Sequence, residues 1–216
     1  MSYNSTFLSI DLDYFDDSPR ETLARFLRRV DLLDVEKVVY RDHHDILPMV
    51  NKLDWETLIN VDHHSDLADY IEDENGALVG SQWLEDKSWK EFAELDCGNW
   101  VNYVKNIGGR LYSWRYSIDK CLSWSGRCDD RTRDRSFLTS KGAKYRNWKN
   151  IEVKQGLRDI PWDNIVGVAI VVSPEYSDTS TLSDSWTLLQ EMDVTYRSGK
   201  KALKEAYAYE ARISSY

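Results

Sequence analysis

The sequence predicts an α/β protein in which helices flank a mainly parallel β-sheet. Short apolar, β-branched segments recur between polar or helical stretches, which is the pattern typical of such a sheet. The last of them, Ile165 to Val172, contains no charged residue, as expected of a strand buried on both faces. A chain of 216 residues with 42% hydrophobic content can enclose one substantial core. We therefore expect a single domain over residues 1–216.

Six segments are predicted to form strands because they are short, apolar and rich in β-branched or aromatic residues. In chain order they are Phe7–Leu12, Lys37–Tyr40, Leu58–Val61, Arg110–Trp114, Ile151–Lys154 and Ile165–Val172.

A first helix is predicted to begin at Ser18, which has the composition of an N-cap. Pro19 suits the first helical position, and Glu21 lies where a capping box places its acidic residue. Apolar residues then follow at helical spacing and are expected to pack on the sheet: Leu23, Phe26, Leu27, Val30 and Leu33.

Two further helices are predicted, one over Cys97–Asn106 before Gly108-Gly109 and one over Ser183–Met192. Between them, the stretch Ser117–Asn150 is polar and rich in arginine, and it is predicted to be a long irregular loop.

Composition narrows the class of protein. The formal net charge of -9 argues against a nucleic-acid backbone as the main partner, since affinity for phosphate depends on lysine and arginine. No run of about 18 apolar residues is present, and Met1 to Ser5 do not begin a signal peptide, so we expect a soluble, cytoplasmic protein. Three cysteines without a Cys-x-x-Cys pair favour neither a disulfide framework nor a thiolate metal site.

The four histidines of the chain all lie in two short motifs that follow predicted strands. These are Arg41-Asp42-His43-His44-Asp45 and Val61-Asp62-His63-His64-Ser65-Asp66. A lone histidine is more often structural than functional, but this clustering at strand ends favours a common site.

Strand parity brings the acidic and imidazole groups together. In extended backbone alternate side chains point the same way, so Asp62, His64 and Asp66 can converge while His63 turns aside. The same parity places Asp11 beside Asp13. Carboxylates crowded at the end of an apolar strand lose hydration and repel one another unless a cation compensates them. Helix N-capping is the alternative, but it explains one aspartate in each motif and leaves the others without a role.

The predicted site lies at the carboxyl ends of the strands, where open parallel sheets bind ligands. Four aspartates and two histidines suit Mn²⁺ first, with Fe, Co or Zn as alternatives. Two divalent cations would balance four carboxylates. The candidate ligands are Asp11, Asp13, Asp62, His64, Asp66 and one of His43 or His44.

Two of these motifs resemble those of arginases and agmatinases. Asp62-His63-His64-Ser65-Asp66 resembles their Asp-x-His-x-Asp motif, and the segment from Ser9 to Asp16 resembles their Ser-x-Asp-x-Asp-x-x-Asp motif. Asp42-His43 looks like the end of their Gly-Gly-Asp-His motif. The resemblance implies one Mn²⁺ on His43, Asp62, Asp66 and Asp11, and another on Asp62, His64, Asp11 and Asp13.

The closer similarity is to the small arginase-like family that includes the peptide arginases of ribosomal-peptide biosynthesis. It is carried also by the segments Asp42–Pro48, Asn99–Val101 and Ser173–Tyr176. The resemblance implies a three-layer arginase-like fold with a permuted strand order, because here the Asp-x-Asp strand opens the chain. It also implies conversion of arginine residues in a precursor peptide to ornithine and urea.

The implied reaction needs a residue that moves a proton and a residue that binds the guanidinium. Asp66 is expected to orient the attacking water and to pass its proton to the leaving amine. Glu175 is the candidate for binding the guanidinium, with Asp178 in reserve. The sequence departs from arginases in having Tyr40-Arg41 in place of Gly-Gly, and in having no histidine after His64 to serve as a proton shuttle.

Three alternative functions compete with the arginase-like one. The segment Leu58–His64 also resembles the motif of Asp-His-His phosphoesterases, but their glycine-rich, histidine-containing C-terminal motif is missing. A deacetylase of the same fold would use a single zinc. A binding module that keeps its metal ligands only for stability is the third alternative.

Overall fold

The computed structural model of the protein describes residues 5–16, 18–64, 66, 71–72, 78–79, 100–105, 110–117 and 150–214. Within them the chain forms nine strands, in sequence order β1 (Thr6–Asp11), β2 (Lys37–Tyr40), β3 (Thr57–Val61), β4 (Ile71–Glu72), β5 (Leu78–Val79), β6 (Leu111–Tyr116), β7 (Asn150–Gln155), β8 (Ile165–Val171) and β9 (Thr195–Tyr196). Seven of these strands form one sheet in the order β7-β6-β3-β1-β8-β2-β9, and β4 and β5 pair separately.

All neighbouring strands of the seven-stranded sheet are parallel. The predicted α/β architecture with a parallel sheet is therefore confirmed, and the six predicted strands are present with ends shifted by at most two residues. The strands β4, β5 and β9 were not predicted. Each has only two residues, which is too short for a hydrophobic pattern to show.

Four α-helices lie among the described residues: α1 (Arg20–Asp31), α2 (Leu47–Lys52), α3 (Thr179–Leu189) and α4 (Lys200–Ile213). The prediction that Ser18 caps α1 is wrong. Pro19 occupies the N-cap with an extended ψ of 139°, and its carbonyl accepts the first bond from the Thr22 N–H, so the helix begins one residue later.

The other predicted helices are only partly reproduced. The helix expected over Ser183–Met192 is α3, which begins and ends earlier, and α4 was not predicted. Of the segment Cys97–Asn106, Trp100–Tyr103 forms a 3-10 helix and Val104 is no longer helical. Residues 97–99 and 106 of that segment, the interior of the predicted loop and the three cysteines lie outside the described residues.

Helices cover both faces of the sheet. Apolar residues of α1, α3 and α4 pack with Leu8 and Ile10 of β1 on one face. On the other face, α2 and the 3-10 helix Trp100–Tyr103 pack with Phe7. Alternate residues of a strand point to opposite faces, so Ser9 lies on the second face with Phe7. None of the described helices is long and apolar enough to cross a membrane.

The strand order gathers several chain segments at one edge of the sheet. The strands β3, β1, β8 and β2 are consecutive neighbours and run in the same direction, so their carboxyl ends lie side by side. The chain that leaves these ends carries Asp62, Asp11, Ser173 and His43. Residues distant in sequence thus reach a common position at the edge that open parallel sheets use for ligands.

Gly199, at the start of α4, is held in the left-handed region at φ 80° and packs against the end of β2. A Cβ atom there would lie 2.7 Å from Val172 Cγ2 and 2.8 Å from the Tyr40 carbonyl oxygen. We expect Gly199→Ala to lower the free energy of unfolding by about 2–4 kcal/mol, since steric overlap adds to the left-handed strain. Urea denaturation measures it.

Gly156→Ala is the matched control, because Gly156 also has a positive φ, 75°, but a Cβ atom added there would have no neighbouring atom within 4 Å. Gly156→Ala should lower the free energy of unfolding by about 1–2 kcal/mol, because only the backbone strain contributes. Equal losses for the two variants would show that α4 does not pack closely on Tyr40.

Candidate metal centre

Three aspartates surround one imidazole nitrogen at the carboxyl edge of the sheet. His43 Nδ1 lies 3.3 Å from Asp11 Oδ2, 3.2 Å from Asp62 Oδ2 and 3.0 Å from Asp66 Oδ2. All four residues are buried. Three carboxylate oxygens and a ring nitrogen at this spacing resemble the inner surface of a cation site.

A second group lies beside the first and shares one residue with it. His64 Nδ1 is 3.9 Å from Asp13 Oδ2 and 4.0 Å from Asp62 Oδ1. The ligand atoms of Asp11, His43 and Asp62 lie within 4.8 Å of one another, and so do those of Asp13, Asp62 and His64. Asp62 therefore directs one carboxylate oxygen toward each histidine, which is the arrangement of a carboxylate that bridges two cations.

The structure brings all six principal candidate ligands together and separates His43 from His44. His43 is buried in the cluster, whereas the His44 side chain is 37% exposed and lies 3.8 Å from Asp45. The two residues begin the 3-10 helix His43–Ile46. Successive side chains of such a helix point about 120° apart, so only one of them can face the cluster.

Asp11 differs from the arrangement that the resemblance implies. It joins the group of His43, but it does not join the group of His64. Its Oδ1 atom instead accepts the Asp13 N–H at 3.2 Å, which caps the 3-10 helix Leu12–Phe15. In this geometry Asp62 is the residue common to both groups.

N-capping accounts for part of the acidic cluster. Asp11 caps through Oδ1, and Asp62 Oδ1 accepts the His64 N–H at 2.7 Å. The other oxygen of each, Oδ2, lies against His43. Asp66 caps no helix among the described residues, so capping does not explain the cluster as a whole.

Burial and mutual repulsion disfavour the charged forms of these aspartates. The pKa of Asp11 is raised by burial and then by repulsion from Asp13 and Asp62. The pKa of Asp62 is likewise raised by burial and then by Asp66 and Asp13, and burial raises the pKa of Asp66 as well. No described lysine or arginine pairs with Asp11, Asp62 or Asp66, so either retained protons or a bound cation would offset their repulsion.

His43 has the neutral imidazole that a metal ligand needs. Burial, followed by the charges of His64 and His44, lowers its pKa to about 3. The imidazole is therefore neutral near pH 7 and has a lone pair to offer. Ser9 Oγ lies 3.1 Å from His43 Nε2, and a hydrogen bond donated by Nε2 to this hydroxyl leaves the Nδ1 lone pair directed at the aspartates.

Three polar side chains hold the carboxylates in place by donating hydrogen bonds. The sequence did not assign them to the site. Asn60 Nδ2 donates to Asp62 Oδ2 at 3.3 Å and to Asp66 Oδ2 at 3.1 Å. Trp100 Nε1 donates to Asp66 Oδ2, and the Trp100 ring stacks on His43 with a centroid distance of 5.2 Å. Ser173 Oγ donates to Asp11 Oδ2 at 2.7 Å.

A signal for two of the polar residues around the site exists in the sequence. Ser9 and Asn60 are polar residues inside otherwise apolar strands, and both are completely buried. They face each other across β1 and β3 in the parallel register. A buried polar residue needs a hydrogen-bond partner, so their position indicates a polar site nearby.

Backbone strain is concentrated at this centre. Among the described residues, three other than glycine have a positive φ, and two of these contact the cluster: Asp66 at 52° and Ser173 at 41°. Such conformations persist when the surrounding contacts hold them, and they recur at ligand and active sites.

Glu175 and Asp178 do not enter the buried cluster. Glu175 is 69% exposed and pairs with Arg41 at 3.3 Å, while Arg41 also pairs with Asp42 at 3.1 Å. Asp178 is the N-cap residue of α3, and its backbone N–H donates to Asp16. Both lie in the turn that follows β8, and guanidinium binding by Glu175 stays a prediction.

Comparison with known proteins adds no assignment to this geometry. No protein-family model matches the chain, and neither a curated protein nor a solved structure matches it.

Asp62 should couple the two ligand groups. Because both use its carboxylate, Asp62→Asn is expected to weaken Mn²⁺ binding at both, whereas Asp13→Asn weakens it at the group of His64 alone. Each lost ligand should reduce affinity at least about tenfold. Mass-spectrometric metal analysis and a Mn²⁺ titration of each variant measure this.

Asp42→Asn is the control, because Asp42 adjoins His43 in sequence but pairs with Arg41 outside the cluster. It should bind Mn²⁺ as the wild type does. Equal loss in the Asp42 and Asp62 variants would contradict the proposed ligand set.

The metal-free protein should lose stability as the pH rises. Raised pKa values mean that the folded chain holds the protons of Asp11, Asp62 and Asp66 more tightly than the unfolded chain. This stabilisation is complete below about pH 4 and is lost as the pH rises through the folded pKa values. His43 acts oppositely, since its lowered pKa costs stability only as the pH falls below about 6.5.

Above about pH 6.5 His43 no longer contributes to the pH dependence, and only the carboxyl groups of the cluster do. The free energy of unfolding should then fall by up to about 1.4 kcal/mol per pH unit for each group still titrating. Urea denaturation in the presence of a chelator measures the slope. Mn²⁺ should reverse it, because the cation competes with protons for the carboxylates. A flat profile in the chelated protein would be the contrary result.

Proposed function

We propose that this protein is a dinuclear Mn²⁺ hydrolase with an arginase-like fold that acts on guanidino C–N bonds. The observation that carries the proposal is Asp62, whose two carboxylate oxygens face two histidine-containing ligand groups. The position at the carboxyl edge of a parallel sheet supports it, because this is where catalytic sites form in open α/β proteins.

The ligand chemistry suits the proposed cofactor. Carboxylate oxygens combined with neutral imidazole nitrogens favour Mn²⁺ among the common divalent ions. When bound, two such ions supply the Lewis acidity that makes water a nucleophile near neutral pH. Asn60, Trp100, Ser9 and Ser173 hold the ligands in position, as the supporting groups of a preformed metal centre do.

Asp66 is the proposed acid–base residue. Trp100 and Asn60 both donate to its Oδ2 atom, so its orientation is fixed without any contact to a substrate. The carboxylate takes a proton from the attacking water and delivers it to the amine that leaves when the guanidino C–N bond breaks. Water adds to the guanidinium carbon, the products are urea and a primary amine, and no redox change occurs.

The proposed substrate is an arginine residue within a ribosomal precursor peptide, and the product is ornithine. This choice is supported by the resemblance of Asp42–Pro48, Asn99–Val101 and Ser173–Tyr176 to peptide arginases. Glu175, exposed in the turn after β8, is the proposed guanidinium contact.

The test measures both the bound metal and the reaction products. Protein purified with Mn²⁺ is analysed for bound metal and incubated with an arginine-containing peptide, and urea and ornithine are then measured by a colorimetric assay and by mass spectrometry. About two metal ions per chain with urea release support the proposal. Phosphodiester cleavage without urea would favour the Asp-His-His phosphoesterase, and a single zinc with deacetylation would favour the deacetylase.

Asp66→Asn should separate catalysis from folding. Asparagine tolerates the positive φ of Asp66 and keeps an oxygen for the Trp100 N–H, but it cannot carry the proton. We expect kcat to fall about 100-fold or more while the unfolding transition is retained.

Asp159→Asn is the matched control, since Asp159 also has a positive φ, 62°, but is exposed and belongs to neither ligand group. It should leave kcat unchanged. Full activity in the Asp66 variant would exclude the acid–base role, whereas a wild-type protein that binds metal but releases no urea would favour a binding module that keeps metal for stability.

A further inference from the structure

The metal centre opens to solvent on one side. Asp11, Asp13, His43, Asp62 and Asp66 are buried, whereas 32% of the His64 side chain is exposed. A substrate that approaches from solvent therefore meets the site on the side of His64.

The ring of Tyr176 stands beside this opening. Its centroid lies 6.5 Å from that of His64, with the two rings inclined at 66°, and Tyr176 is 42% exposed. The tyrosine thus borders a candidate metal ligand while part of its surface is exposed to solvent. The neighbouring residue, Glu175, adds an exposed carboxylate to the same turn.

The turn that carries Tyr176 is anchored at both ends, and one of these anchors is Asp11 of the metal centre. Ser173 Oγ donates to Asp11, and at the other end the Asp178 N–H donates to Asp16 Oδ1 at 2.9 Å. Within the turn, the backbone N–H groups of Tyr176 and Ser177 both donate to the Ser173 carbonyl at 2.9 Å. The backbone that carries the ring is therefore ordered before a ligand arrives, which lowers the entropy cost of binding.

An exposed aromatic ring and an exposed carboxylate in the same turn favour a planar cation. The face of a tyrosine ring attracts guanidinium, and a carboxylate can pair with the same group. Glu175 is at present paired with Arg41, itself a guanidinium, at 3.3 Å. Because exposed ion pairs of this kind contribute little free energy, a substrate guanidinium can replace Arg41 at small cost.

We propose that Tyr176 determines specificity by holding the guanidinium of the substrate over its ring at the His64 side of the metal centre. This rests on the proposed function and extends it, since it names the residue that selects a cationic arginine over a neutral side chain of the same shape.

The test compares two probes of nearly equal shape, Nα-acetyl-arginine amide and Nα-acetyl-citrulline amide, of which only the first is cationic. Their Kd values for the full chain, purified with Mn²⁺, are measured by calorimetry for the wild type and for Tyr176→Leu and Tyr176→Phe. Tyr207→Leu is the matched control, because Tyr207 is 45% exposed on α4, which contributes no residue to either ligand group.

We expect the wild type to prefer arginine amide, and Tyr176→Leu to bind it about fivefold more weakly without a change for citrulline amide. Tyr176→Phe and Tyr207→Leu should keep the preference, since the first retains the aromatic face and the second lies elsewhere. Metal content measured on each variant should match the wild type.

Equal binding of both probes by the wild type, or an unchanged preference in Tyr176→Leu, would overturn the proposal. Loss of the preference in Tyr176→Phe would also overturn it, because the hydroxyl rather than the ring would then recognise the ligand. Urea release is assayed in parallel: selective binding without urea refutes the proposed hydrolysis alone, and urea release with an unchanged preference in Tyr176→Leu refutes the role of Tyr176 alone.

Discussion

The carboxylates of Asp11, Asp62 and Asp66 lie buried side by side, where loss of hydration and their repulsion for one another and for Asp13 raise their pKa values. The one imidazole among them, His43, is itself held neutral by burial. Such a cluster is unfavourable in a bare apolar core. The cluster is stable only if it retains protons or binds a cation. The other features of this edge of the sheet serve to hold the carboxylates close together.

The scaffold meets the requirement with parallel strands and with fixed donors. Four neighbouring strands end at the same edge, which lets short side chains converge without long loops. Hydrogen bonds from Asn60, Trp100 and Ser173 fix the carboxylate oxygens that lie against His43. The positive φ of Asp66 and of Ser173 shows that the backbone itself is held in strained conformations to complete the arrangement.

The two ligand groups differ in their exposure to solvent. The group of His43 is enclosed, stacked against Trp100 and closed to solvent, whereas the group of His64 is partly open beside Tyr176. Asp62 connects them. In the hydrolase that we propose, the closed side would preserve the geometry of the ligands and the open side would admit the substrate.

The sequence by itself determined the sheet and its parallel character, because strand periodicity is local, and it indicated the candidate ligands, because the motifs Asp11-x-Asp13 and Asp62-x-His64-x-Asp66 lie within a few residues. The strand parity predicted for these motifs is wrong, since Asp13 lies in the 3-10 helix Leu12–Phe15 and β3 ends at Val61. It did not determine α4 or β9, whose burial depends on their packing partners. Only the tertiary structure decided that His43 rather than His44 faces the cluster, and that Trp100 and Ser173 support it. These contacts join residues separated by 34 positions, as in His43 with Ser9 and Trp100 with Asp66, and by 162 positions, as in Ser173 with Asp11. The order of the strands creates them, and no local pattern encodes that order.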